Sequence, residues 1–224
     1  MSTKTVEVEV CGVSLQIREG TNDRGICTEV LTRDTYKMAS RSFGPGDLLV
    51  DIGAHIGTFV AWSAHLFPGA RIEAFEMDDG NFEILQRNAA GLEHAAIHHM
   101  AVVGEVVPAG YKRNVKNGGG HHIQFRRPER PLPGAITLAE IIRLHGDIAF
   151  LKLDCEGAEH FILRKAAQDG VLGRVAAMAL EYHNFFKESG DALADLLREH
   201  FDLVEMRVQN RSCGIIKASR NATG

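Results

Sequence analysis

The chain has 224 residues, 45% of them apolar and 24% charged, and a formal net charge of −4 at pH 7. That length suits one α/β domain with a sizeable core, or such a domain with a small appendage. The mild acidic surplus argues against a dedicated nucleic-acid binder, which needs Lys and Arg to displace counterions from phosphates. Cys11, Cys27, Cys155 and Cys213 form no CxxC pair and match no zinc spacing. The opening MSTKTVEVEV lacks the apolar core of a signal peptide, and no apolar run approaches the roughly 18 residues of a membrane helix. Reduced thiols, a cytoplasmic location and no membrane partner are therefore expected.

Residues 5–18 alternate apolar and polar side chains, which predicts one or two strands with Gly12 at a turn. GTNDRG at 20–25 reads as a loop. The stretch 26–43 is ambiguous, read as a strand followed by a helix, and FGPGD at 43–47 is a break. A regular rhythm then begins. LLVDIG (48–53) is a buried strand, GTFVAWSAHLF (57–67) a helix stopped by Pro68-Gly69, and ARIEAFE (70–76) a second strand. FEILQRNAAGL (82–92) is a helix and AAIHHMAVVG (95–104) a third strand. Residues 105–134, with Gly118–Gly120 and several prolines, form a long loop, and loops of that length in compact domains are functional or mobile.

Alternation resumes with TLAEIIRLHG (137–146), a helix opened by Thr137 and Glu140 at capping-box spacing. A strand (148–154), a helix (158–170), a strand (175–183) and a helix (191–201) follow. Residues 201–219 read as two strands joined at 210–212. Strands alternating with helices give parallel βαβ units with right-handed crossovers. Five such units closed by a hairpin leave the last strand antiparallel. The predicted architecture is α/β: a seven-stranded, Rossmann-like sheet with an antiparallel last strand and helices on both faces. It is similar to the class I methyltransferase layout. Residues 1–46 are expected as an amino-terminal strand/helix extension capping the substrate side, and 47–224 as the main domain.

Ligands of open α/β sheets bind at the carboxyl ends of the strands. One such end carries Asp51, Gly53, Ala54, His55 and Gly57, where glycines let backbone approach a ligand that a Cβ would block. This is not the dinucleotide fingerprint, because Asp51 before the first glycine would repel a pyrophosphate. S-adenosylmethionine presents an amino group and a sulfonium, both cationic, and no phosphate. Asp51 is placed to meet that amino group directly or through water, or else to cap the following helix. Glu76 lies about twenty residues past the glycine loop, the spacing of an acid on ribose hydroxyls. Met77 is a candidate against the adenine, and Met100, Ala101 and Val102 for its edge. His98 and His99 read as strand residues facing opposite sides.

VDIGAHIGTF, AFEMDDGNFEILQRN, TLAEII, LKLDCEGAEHFILRKA and LEYH, in that order over residues 47–185, resemble the FkbM family of methyltransferases. The resemblance implies a class I fold, S-adenosylmethionine as donor, and O-methylation of a small-molecule or sugar-like hydroxyl, as in secondary metabolism. Family members typically carry Pro where Met77 stands and Val where Cys155 stands. The first 45 residues and the 105–134 loop match loosely and are the parts expected to choose the acceptor.

Methyl transfer to a hydroxyl requires alignment and removal of a proton. Asp154 ends one strand, Glu156 follows it, and Glu181 and His183 end the next, two residues apart and so on one face. These four are the catalytic candidates, with Asp154 also near the donor. Acids that hold one nitrogen of His183 would leave the other as a base. The same set could bind a divalent cation, so metal dependence is left open. Glu159 reads as a helix cap and Lys152 as the partner of an acid. His121 and His122 are candidate acceptor-binding lid residues. N-methyltransferases tend to carry an Asn/Asp-Pro-Pro-aromatic motif where this chain has DCEG, which disfavours an exocyclic amine. A non-catalytic nucleotide-binding module on the same fold is disfavoured by the intact set Asp51, Gly53, Glu76 and Asp154. A dehydrogenase is disfavoured by the acid before Gly53 and by the terminal hairpin. A small-molecule acceptor is the expected partner, with a homodimer left open.

Overall fold

The computed structural model describes residues 4–105, 110–112, 122–124, 130–184 and 188–221, with only the backbone described at 122–124. The apolar runs Leu48–Ile52 (β3), Arg71–Glu76 (β4), Phe150–Leu153 (β10) and Ala177–His183 (β11) become the centre of one sheet, since runs with both faces apolar must be covered on both sides. Ala95–His99 (β5) forms one edge, and Leu203–Val208 (β12) with Cys213–Ser219 (β13) completes the other. The order is β12-β13-β11-β10-β3-β4-β5. All neighbours pair in parallel except β13, which runs antiparallel to both β11 and β12. This is the expected class I sheet. The chain winds outward from β3 to β5, then returns past β3 to β10. The switch point therefore lies between β3 and β10.

One face packs on α4 (Leu138–His145), α5 (Glu159–Gln168) and α6 (Gly190–Arg198), and the other on α2 (Thr58–Leu66) and α3 (Asp79–Asn88). The α4 start carries the predicted capping box, with Thr137 and Glu140 exchanging bonds. The amino-terminal hairpin, β1 (Thr5–Val10) with β2 (Val13–Arg18), forms its own two-stranded sheet. Its Leu15 and Ile17 are buried in the same core as Phe59 and Trp62 of α2.

Three local expectations are corrected. Residues 26–43 contain no strand. A short helix, α1 (Asp23–Cys27), begins inside the expected 20–25 loop and runs into a π-helical turn at Thr28–Thr32. The cause is periodicity: Cys27, Val30 and Leu31, at helical spacing, are the residues buried. Helix α3 starts at Asp79 rather than 82, because Asp78 accepts the Asn81 amide at 2.9 Å as an N-cap.

The expected third strand breaks at Met100. Residues Ala101–Val103 (β6) leave the sheet and pair in parallel with Ala135–Thr137 (β9). Within 105–134, Gly110–Lys112 (β7) pairs with His122–Gln124 (β8).

Candidate active site

A cleft of about 310 Å³ opens at the carboxyl ends of β3, β4, β10 and β11. On the donor side it is lined by Gly53, Ala54, His55, Glu76, Met77 and Ala101, and on the other by Asp154, Glu156, Glu181 and His183. The amino-terminal segment adds Asn22, Ile26, Glu29 and Tyr36 to the same wall.

Gly53 lies at φ 78°. A Cβ there would stand 1.9 Å from the Asp154 carbonyl oxygen, so only glycine lets the β3 turn touch the end of β10. His55 follows in the left-handed region at φ 53°. Its amide donates to Glu76 Oε2 at 2.7 Å, and the Asp78 amide donates to Glu76 Oε1 at 2.8 Å. Two backbone amides thus orient a buried carboxylate that borders the cleft.

Buried side chains hold His55 in place. Arg18 grips Asp23 with two nitrogens at 2.8 and 2.9 Å, donates to Asn81 Oδ1 at 2.8 Å, and reaches His55 Nε2 at 2.8 Å. Hairpin, glycine loop and α3 are joined at one point. Burial tends to raise the Asp23 pKa, but the hydrogen bonds from His55 and Arg18 outweigh it and hold it well below the usual range.

Two expected donor-side residues lie behind the cleft rather than on it. Asp51 is fully buried and meets Lys152, whose Nζ is 2.9 Å from Asp51 Oδ1 and donates to the Gly53 carbonyl at 2.6 Å. Asp51 thereby supports the glycine loop through Lys152. Gly57 opens α2 at φ 88°, and a Cβ there would meet Leu85 Cδ1 at 2.6 Å, so it serves helix packing.

On the acceptor side, Tyr36 Oη donates to Asp154 Oδ2 at 3.3 Å. Glu159 is fully buried. Its Oε1 accepts the His183 amide at 2.7 Å and meets His183 Nδ1 at 2.9 Å, while Oε2 accepts the Gly157 amide at 3.0 Å. Glu156 stands 3.5 Å from the other ring nitrogen, at φ 51°. Burial alone would lower the His183 pKa; the hydrogen bond and charge of Glu159, with Asp154 and Glu156, overcome it and hold it at about 10. These partners favour the charged ring at His183. Burial raises Glu156 to about 8, against the pull of His183. Burial and the Asp154 charge raise Glu181 to about 7.

Glu159, Tyr36 and the Arg18–Asp23 pair carry weight that their local sequence does not announce. Glu159 shows a helix-start signal only, and its His183 partner lies 24 residues away. His121 falls outside the described residues, and of His122 only the backbone, paired with Lys112, is described.

The sequence model of the methyltransferase FkbM domain matches residues 51–214. The chain belongs to the FkbM methyltransferase family. It is an S-adenosylmethionine-dependent methyltransferase. A similar protein is the 31-O-demethyl-FK506 methyltransferase FkbM of Streptomyces tacrolimicus, 25% identical over 77% of this chain and 78% of that one. Among solved structures, the precorrin-6y C5,15-methyltransferase of Geobacter metallireducens GS-15 is similar at TM-score 0.53 and 13% identity, covering 92% of both chains. The methyltransferase FkbM of Methylobacillus flagellatus KT gives TM-score 0.52 at 17% identity, over 81% of this chain and 46% of that one. These likenesses establish the shared class I fold.

The cleft fits the family's donor chemically. The amide-held Glu76 carboxylate suits two ribose hydroxyls, the Gly53 turn leaves room beside the strand end, and Met77, Met100 and Ala101 offer apolar surface to an adenine.

Proposed function

We propose that this FkbM-family enzyme methylates a hydroxyl of a small, sugar-like or secondary-metabolite acceptor, with Glu181 as the base and Asp154 as the group that orients the hydroxyl. S-adenosylmethionine supplies an activated methyl on a good leaving group. The chain must then align the acceptor oxygen and take its proton. A base works best when its pKa lies near the working pH, and Glu181, at about 7, meets that condition. This carboxylate beside Asp154 is the observation that carries the reading. Tyr36 fixes one oxygen of Asp154 and leaves the second for the acceptor.

His183 has a different part. Three carboxylates, Asp154, Glu156 and Glu181, border one cleft and repel each other when ionised. The His183 imidazolium, anchored by Glu159, supplies the counter-charge that a divalent cation would otherwise bring. Asp154, Glu156 and His183 each present a ligand atom within 4.8 Å of the others, so this spot has the donors to hold such a cation. The reading favours His183 in that role, and exhaustive chelation is expected to leave turnover intact. Residues 1–46 act as a cap through Glu29 and Tyr36, and with the 105–134 segment they select the acceptor.

The test is a methylation screen over hydroxylated small molecules, with matched amines in parallel. Transfer to a hydroxyl supports the reading, and transfer to amines alone would replace it.

A further inference from the structure

A second group of metal-capable side chains lies away from the cleft. Glu73 sits on β4, His98 on β5 and His145 at the end of α4. One ligand atom from each lies within 4.8 Å of the others. None of the three borders the cleft. Glu73 is three residues before Glu76 on the same strand, so the two face opposite sides of the sheet. We infer that Glu73, His98 and His145 form a separate metal site, which takes a borderline divalent cation such as Zn²⁺ and clips the sheet edge to α4.

The geometry is close to what such an ion needs. His98 Nε2 is 2.7 Å from Glu73 Oε2, and His145 Nδ1 is 3.0 Å from Glu73 Oε1. Ligands about 2.0–2.2 Å from a tetrahedral zinc stand about 3.4 Å apart, and the three ligand atoms here lie within 4.8 Å of one another, so modest side-chain adjustment brings them onto an ion. The rings are already set by packing. His98 stacks on Phe75 at 4.6 Å with 16° between planes, and His145 meets it edge-on at 5.9 Å. Glu73 is 7% exposed, a nearly dry carboxylate that gains from a cation. His145 stands in the last turn of α4, where the helix dipole favours positive charge.

The donor set selects the ion. Two imidazoles and one carboxylate suit Zn²⁺, whereas Mg²⁺ and Ca²⁺ prefer oxygen alone. Three protein ligands leave a fourth position for water, and both rings are partly exposed, which gives the ion a way in. One cation already stands nearby: the Arg71 guanidinium is 3.6 Å from Glu73 Oε1 and donates to the His145 carbonyl at 3.4 Å. Its side chain is 46% exposed and can swing into solvent when the ion enters. Position explains the use of such a clip. Strand β5 is an edge strand of the sheet, and among the described residues it pairs there with β4 alone.

The experiment uses the full chain carrying Asp154→Asn and Glu156→Gln, so that the cleft cluster with His183 loses both its carboxylate ligands. After chelation, Zn²⁺ uptake is measured by equilibrium dialysis, Co²⁺ ligation by visible absorption, and metal-dependent melting by calorimetry. One ion per chain is expected, with a higher melting temperature when it is bound. Glu73→Gln or His145→Asn is expected to weaken binding by more than about 100-fold, beyond the 10–100-fold that a merely supporting residue costs. Should Glu73→Gln fail to fold, His145→Asn at the helix end decides alone. Absence of uptake in the parent chain, or equal affinity after either substitution, overturns the site and leaves a hydrogen-bonded cluster.

Discussion

His183 illustrates how one buried neighbour changes what a side chain can do. Its imidazole, at the end of a strand beside acids, has the composition of a base, yet Glu159 binds both its amide and its Nδ1 and keeps it charged. The proton acceptor is then sought among the carboxylates. Glu181→Gln is expected to lower kcat by about 10²–10⁴-fold and to abolish the acid limb near pH 7 in the pH–rate profile. A profile unchanged by that substitution would remove Glu181 from the chemistry. Glu159→Gln is expected to lower the His183 pKa from about 10, because the group that raises it has lost its charge. NMR titration of the ring measures this directly. On the donor side, if Glu76 accepts two ribose hydroxyls as its geometry suits, Glu76→Ala removes an interaction class worth about 1.5–3 kcal/mol, or roughly 10–100-fold. Calorimetric titration with S-adenosylhomocysteine reads that loss. The cleft positions of Glu76, Asp154 and Glu181 were legible in the sequence because each lies at or within two residues of a strand's carboxyl end. Asp51 was only half legible: its place at a strand end shows in the sequence, but Lys152, which takes up its charge, lies on another strand.

At the scale of elements, the periodic segments from 48 to 219 were readable because apolar runs and helical stripes state their own burial. The segment 26–43 was not, because only its packing on α2 and the hairpin shows which of its apolar residues face inward. The break at Met100 was hidden for a related reason. AAIHHMAVVG is continuous in strand propensity, and the partner that draws Ala101–Val103 out of the sheet lies more than thirty residues later, at Ala135–Thr137. The Arg18–Asp23 pair ties the hairpin to the glycine loop, with side-chain exposures of 7% and 0%. Asp23→Ala leaves the Arg18 charge buried and unpaired, a class of change that costs about 3–5 kcal/mol. The urea midpoint is expected to fall accordingly with little change in slope. Weaker S-adenosylhomocysteine binding should accompany it, since His55 loses its support.

For the whole molecule, three groups set one direction of pH dependence. Glu181 and Glu156 have folded pKa values of about 7 and 8, above the ordinary 4.5. Between those limits the unfolded chain binds fewer protons than the folded one, so stability falls as pH rises. His183, raised from 6.5 to about 10, contributes stability that is complete below 6.5 and lost as pH rises through 10. Buried His55, with its pKa lowered from 6.5, works the other way below that value, so the melting temperature of the ligand-free enzyme is expected to decline from about pH 6.5 to 8, while turnover climbs as Glu181 loses its proton. Scanning calorimetry across that range checks it, and Glu156→Gln combined with Glu181→Gln should flatten the decline. The short parallel pair β6–β9 has a consequence for engineering. It matches Ala101 with Ala135 and Val103 with Thr137, so the residues that flank the 104–134 stretch are held together in one short pair. An exchange made here must keep the buried Tyr111 and the Glu105–Arg164 pair, which tie the stretch to the domain. Doubling the length of a flexible insert adds only about 0.6 kcal/mol of closure entropy. Chimeras cut at this pair, with the insert of a sister enzyme on an unchanged donor site, would show whether acceptor choice travels with the insert while methyl-group supply stays behind.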